Sequence, residues 1–214
     1  MIDETDRLEI SLFDLILSIS HNLDLIYEDL EWHHEKVAYI TYEIVSKLNY
    51  TEQEKKTLIM AAALHDIGIL NLEHKKIDII EEVELNDEEK ILDHAKAGAL
   101  LINKFQELFG FEGMEDLIQY HHTHWNNDQS KRYQGQKKRF GSHILHLADR
   151  VAILTKGDDY VLNQKDDIMN KIEAQTGSAF APKLVEIIAE IAEKESFWLT
   201  LDTPKIIEKK LKKN

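Results

Sequence analysis

Eleven histidines are spread over the 214 residues, and the company some of them keep could do chemistry. His65-Asp66 stands between Ala61-Ala62-Ala63-Leu64 and Ile67, and His121-His122 follows Leu117-Ile118. His33 and His94 sit in further apolar helical segments, and Asp149 ends the run Ile144-Leu145-His146-Leu147-Ala148. An ionised aspartate inside such a run costs several kcal/mol unless it is paired or metal-bound. Imidazole and carboxylate donors without thiolate suit Mn, Fe, Co, Ni or Zn in open catalytic sites, and one carboxylate with two oxygens can bridge two ions. Convergence of these groups would make a buried metal centre. The remaining histidines read more plainly: His21, His74, His143 and His146 as hydrogen-bonded core residues, His34 and His124 as solvent-facing, with His124 close to the cluster.

The elements that must position these groups are helical. Ile10, Phe13, Ile16 and Leu17 fall at helical spacing, and His33, Val37, Ile40, Ile44 and Leu48 mark one face of a helix ending near Asn49. Thr51 and Glu54 form a capping-box pattern opening a helix through Leu58, Ala61, Ala62 and His65 that stops at Gly68. After a charged, irregular stretch over 71–86, Asn86-Asp87 and Glu89 start a helix through His94, Gly98, Leu101 and Phe105 to Gly110. A short helix follows over Met114 to His122, then a polar, basic loop from Thr123 to Gly141. Ser142 is placed to cap a helix from His143 to Thr155, with further helices around 164–174 and 180–195. Phe197-Trp198-Leu199 is expected to pack back on the core, and Lys205 to Lys213 to form a solvated, basic amphipathic tail.

Composition agrees with that reading. Glycine and proline together number only 10, where average usage of roughly 12% would give about 25. Turns and strands are therefore under-supplied, and an all-α chain is expected. The absence of cysteine excludes disulfides and thiolate zinc sites, and 43% hydrophobic residues is too many for a disordered acidic chain. An acidic, polar start and the lack of any apolar run near ~18 residues argue against a signal peptide or membrane span. The expected setting is cytoplasmic. No repeat of 20–50 residues is visible. Residues 1–130 hold 28 acids and 10 bases, whereas 131–214 hold 12 acids and 16 bases. Duplex nucleic acid is disfavoured, since it needs a broad basic surface, while a small anion could still be received by a metal or a local basic loop.

His65-Asp66-Ile67-Gly68, preceded by Ala-Ala-Ala-Leu and by His33 with Lys36-Val37-Ala38, resembles the HD-domain metal-dependent phosphohydrolases. His94-x-x-x-Gly98, His121-His122 with Trp125, Ala148-Asp149 and the segment Gly177 to Val185 narrow the resemblance to the HD-GYP branch over about residues 29–200. The resemblance implies a single all-α helical-bundle domain over 1–214, with 1–28 as an N-terminal helical extension, 29–200 as the family-like core and 201–214 as a basic C-terminal tail. It implies two or three divalent ions, iron or manganese before zinc, nickel or cobalt. The implied ligands are His33, His65, Asp66, His94, His121, His122 and Asp149, with Asp66 bridging and catalytic. Asp29, one helical turn before His33, is a candidate ligand for a third ion. The match fails elsewhere: Ile69 replaces a lysine, Thr123 a glutamate, Asn126-Asn127 an Asp-Gly pair, and Asp128 to Gly135 the Gly-Tyr-Pro signature.

The function implied is phosphodiester hydrolysis of a cyclic dinucleotide resembling cyclic di-GMP, by a water activated by two or three metals. Lys131, Arg132, Lys137, Lys138 and Arg139 are expected to take the place of the missing lysine as phosphate contacts, with Tyr133 or Trp125 stacking on a base. The alternatives are a phosphohydrolase for a nucleotide or other phosphoester, and a metal-binding regulatory domain whose substrate site has decayed. A second copy of the chain, or a sensor domain, is the protein partner expected.

Overall fold

A computed structural model describes residues 11–25, 32–71, 88–109, 112–127, 137–155 and 159–213, with backbone alone for 71, 88–93, 106–109 and 137–139. Ten α-helices follow one another among these residues: α1 (Leu12–Asp24), α2 (His33–Val45), α3 (Glu52–Ala63), α4 (Glu88–Phe109), α5 (Met114–Gln119), α6 (Lys137–Leu154), α7 (Val161–Glu173), α8 (Pro182–Ala192), α9 (Glu195–Leu201) and α10 (Pro204–Leu211). A 3-10 turn, Ile67–Asn71, joins the α3 side of the fold to α4. Among the described residues no strand forms, only an isolated bridge between Thr176 and Phe180. The fold is all-α, as composition implied.

α2 is the axis. It packs against α1, α3, α6, α8 and α10, so Val37, Ala38, Tyr39, Ile40, Ile44 and Val45 are all buried. α3 is started by the expected capping box: Thr51 Oγ1 accepts from the Glu54 N–H at 3.2 Å and Glu54 Oε2 from the Thr51 N–H at 2.7 Å, a device worth about 1 kcal/mol. Its last turn, Ala61-Ala62-Ala63, is fully buried. Side chains that small let the neighbouring helices approach closely, which brings the ends of α2 and α3 to one place.

Several boundaries differ from expectation. α3 stops at Ala63, and Gly68 lies inside the 3-10 turn. Gly68 does not adopt a left-handed conformation; it is a glycine because α4 crosses there, and a Cβ would stand 1.9 Å from the His94 carbonyl oxygen. α5 ends at Gln119, so His121 and His122 project from the turn beyond it. α6 begins at Lys137, which converts the last residues of the expected loop into helix and leaves Ser142 buried within it rather than capping it. Tertiary packing outweighs the loop-like composition here: at Gly141 an added Cβ would meet Leu117 and Leu58 at 2.5 and 2.7 Å, so α3 and α5 close onto α6. The segment expected at 180–195 divides into α8 and α9, with Pro182 opening α8.

The C-terminal tail is not solvated. Ile207 and Leu211 of α10 are buried against α2, and Lys210 Nζ donates to the Tyr39 hydroxyl at 3.1 Å and to Glu43 Oε1 at 3.2 Å. Burying two large apolar side chains, about 1.5–3 kcal/mol each, outweighs solvation of a helix whose other face carries the charge. Phe197 and Trp198 also pack inward, and Trp198 Nε1 donates to the Ala192 carbonyl at 2.8 Å. No described helix is long and apolar enough to cross a membrane.

Candidate metal centre

Five elements deliver polar groups to one buried point. The first turn of α2 supplies His33, the turn after α3 supplies His65 and Asp66, α4 supplies His94, the turn after α5 supplies His121 and His122, and α6 supplies Asp149. All except the half-buried His122 are buried. The seven positions are separated by up to 116 residues in sequence, yet their donor atoms interlock.

Two lobes share Asp66. Its Oδ2 lies 3.0 Å from His65 Nε2, while its Oδ1 lies 3.3 Å from His94 Nε2 and 3.5 Å from His121 Nε2. In the first lobe, His33, His65 and Asp66 place donor atoms within 4.8 Å of one another. Asp149 Oδ1 joins it, 3.2 Å from His33 Nε2 and 3.5 Å from His65 Nε2. In the second lobe, Asp66, His94, His121 and His122 meet the same criterion. One carboxylate therefore presents a different oxygen to each lobe.

Two of the rings are held with Nε2 turned towards the cluster. His65 Nδ1 donates to the Ala62 carbonyl at 2.8 Å and His121 Nδ1 to the Ile118 carbonyl at 2.6 Å. A neutral imidazole that donates through Nδ1 offers an unprotonated Nε2. Such second contacts, which fix tautomer and ring plane, are the usual support of a metal-bound histidine. His33 Nε2 and His65 Nε2 stand 3.4 Å apart, and His94 Nε2 and His122 Nε2 stand 2.9 Å apart. Ring nitrogens converging at these distances could be bound by one cation placed between them once their Nε2 atoms are unprotonated. The donor set, five imidazoles and a shared carboxylate with a second carboxylate on one side, fits divalent metal.

Electrostatics agree with that chemistry. Burial alone would raise the Asp66 and Asp149 carboxyls, but His65 with its neighbouring rings holds Asp66, and His33 with His65 holds Asp149, well below the usual carboxylate range. Burial opposes charge on His65, yet the two carboxylates outweigh it and keep that imidazole well above its ordinary value in the ion-free cluster. Burial and the adjacent rings push His122 well below, and burial lowers His121. The site thus sets two anionic carboxylates among buried imidazoles, of which His121 and His122 are held in the neutral form.

The structure brings His33, His65, Asp66, His94, His121, His122 and Asp149 together. Asp29, Lys131, Arg132 and Tyr133 lie outside the described residues, and Lys137, Lys138 and Arg139 form the first turn of α6, where only backbone is described. Trp125 is half-buried, its ring edge-on to His143 at 5.1 Å and to Phe140 at 6.3 Å. Ile69 is turned into the protein interior.

His34, expected in solvent, is buried, and burial lowers its imidazole to about 3. Its Nδ1 contacts Asp24 Oδ1. Asp24 closes the buried stripe Leu17, Ser20, Asp24 of α1; a carboxylate at i+7 on an apolar face was the available signal, and it needed the α1–α2 packing to acquire meaning. His21, expected in the core, is about half-exposed and stacks on Trp32 at 4.7 Å. His143 and His146 are buried and His124 is exposed, as expected, with His124 parallel to His146 at 5.4 Å. His74 lies outside the described residues.

The HD domain model matches residues 32–154. Two curated relatives, 3'3'-cGAMP-specific phosphodiesterases 1 and 2 of Vibrio cholerae serotype O1, are 25% identical over 199 residues, or 90% of this chain, and 21% identical over 179 residues, or 83% of it. The chain spans 44% and 34% of their lengths. A solved structure of a cyclic GMP-AMP specific phosphodiesterase from V. cholerae superposes on 91% of this chain and 52% of its own, with TM-score 0.68 and 20% identity. That likeness concerns the fold. With the HD model covering more than half of its residues, the chain belongs to the HD-domain family.

Proposed function

We propose that the chain is a metal-dependent phosphodiesterase acting on a cyclic dinucleotide. The observation that carries this reading is Asp66, whose two oxygens face two sets of inward-pointing imidazoles. In this reading His33, His65, Asp66 and Asp149 hold one divalent ion and Asp66, His94, His121 and His122 a second, with Asp29 a candidate for a third. Ions held there would supply positive charge to phosphoryl oxygens and lower the pKa of water.

The chain's own groups do the rest. The Ala62 and Ile118 carbonyls orient His65 and His121, and His65 Nε2 gives up its proton when the lobe is loaded, since only the lone pair binds. Ala62, Ala63, Ile118 and Ala148, all fully buried, flank the cluster residues in sequence, and such apolar surroundings keep charge interactions strong. No side-chain nucleophile is required. Lys131, Arg132, Lys137, Lys138 and Arg139 attract the anionic substrate, with Tyr133 or Trp125 against a base.

The relatives favour 3'3'-cGAMP over cyclic di-GMP as the first substrate to test. A nucleotide phosphoester is the second reading, favoured by the inward turn of Ile69, which leaves that position without a cation. Purified protein loaded with Mn(II) or Fe(II) should convert 3'3'-cGAMP to a linear dinucleotide, and chromatography of the products reads this directly. Phosphate release from mononucleotides alone would support the second reading, and dinucleotide binding without turnover a regulatory domain.

A further inference from the structure

His34 lies at the edge of the first lobe with its ring held in one orientation. Asp24 Oδ1 accepts from the His34 backbone N–H at 3.4 Å and contacts its Nδ1. A carboxylate oxygen is an acceptor, so the ring proton sits on Nδ1 and Nε2 carries a lone pair. That Nε2 is buried with no hydrogen-bond partner among the described residues, and it faces Asp66 Oδ2 at 3.9 Å. Two acceptors aimed at one another inside a protein are stabilised by a cation between them. Two donors to one ion lie at most about 4.2 Å apart, twice a bond of about 2.1 Å, and the observed separation is within that limit.

We propose that His34 Nε2 is an additional donor to the metal lobe of His33, His65, Asp66 and Asp149, with Asp24 as the carboxylate that fixes its tautomer. The arrangement carboxylate, imidazole, ion is the same support that backbone carbonyls give His65 and His121. The two lobes are then unequal: the first offers five protein donors, the second four. The proposal rests on reading the cluster as a metal centre.

Metal-free wild type, H34Q and D24N are titrated with Mn(II), and bound metal per chain is measured by elemental analysis alongside the EPR signal of free Mn(II). H34Q should bind one ion at least about tenfold more weakly while the other is unaffected, and D24N should show a loss within roughly 10–100-fold at the same ion. Histidine 15N spectra of the wild type during Cd(II) loading give a second measurement independent of how the variants fold; His34 Nε2 should shift on loading. H34Q affinities within about twofold of wild type, or a His34 Nε2 resonance unmoved by Cd(II), overturn the proposal. If wild type loads and H33A and H94A each lose an ion while H34Q loads normally, His34 alone is removed from the centre. If wild type takes up no divalent ion, the metal-centre reading falls and this proposal with it.

Discussion

Replacing Gly68 with alanine should damage both stability and one half of the metal centre. An added Cβ would stand 1.9 Å from the His94 carbonyl oxygen, 2.3 Å from the Gly98 amide nitrogen and 2.9 Å from the His94 carbonyl carbon. Ordinary contact begins near 3.4 Å, so α4 must retreat by about 1.5 Å from the 3-10 turn. Every close atom is backbone, which cannot rotate away as a side chain would. Overpacking of this kind costs about 1–3 kcal/mol, and the small gain in backbone rigidity from alanine, about 0.5–1 kcal/mol, offsets only part of it. His94 moves with α4, and its Nε2 now lies 3.3 Å from Asp66 Oδ1, whereas metal ligands tolerate only about ±0.2 Å. Urea denaturation of the metal-free protein should therefore show a loss of 1 kcal/mol or more, and Mn(II) titration should lose the ion of the second lobe while the His33, His65 and Asp149 lobe still loads. Gly98→Ala is the control: its Cβ meets Ile118 Cγ2 at 3.1 Å and the Gly68 nitrogen at 3.2 Å, so a shift of a few tenths of an ångström suffices. A Gly68→Ala protein within about 0.5 kcal/mol of wild type that still takes up both ions would refute the argument that close backbone approach sets His94.

Asp66→Asn keeps the shape but removes the charge shared by the lobes, so hydrolysis should fall by at least about 10²-fold and metal content should drop below that of wild type, as measured by steady-state kinetics and elemental analysis. Changing Lys131, Arg132, Lys137, Lys138 and Arg139 together to glutamine should raise KM for a cyclic dinucleotide or abolish turnover, with metal content unchanged; unaltered kinetics would remove these residues from substrate capture. Burial works against the Lys210 ammonium, but the Tyr39 hydroxyl and Glu43 raise it above its ordinary value. Its contribution is present at neutral pH and is lost as pH rises through the folded-state value, above 10.5. Since Lys210 is 40% exposed, Lys210→Met should cost no more than about 1 kcal/mol at pH 7 in urea denaturation, and the difference should shrink above pH 10.5.

The helices, the all-α class and most of the centre could be read from residue order, because each depends on local pattern. The Thr51 and Glu54 box is local chemistry, and an aspartate between alanines and isoleucine demands a partner wherever the chain folds. What the sequence could not decide was distance between helices. Gly68 reads as a helix stop, yet it is small because α4 crosses it; Gly141 reads as loop, yet lies inside α6 because Leu58 and Leu117 close over it. α10 reads as a solvated basic tail, and only the face of α2 that it covers makes Ile207 and Leu211 core residues. His34 shows the limit most plainly. On α2 alone it reads as a solvent-facing neighbour of His33, and its partner Asp24 lies on another helix ten residues earlier. Sequence determined which carboxylates need a partner or a cation, since that follows from burying charge in an apolar run; the tertiary structure decided which groups face the same point, since that follows from the crossing of helices distant in the chain.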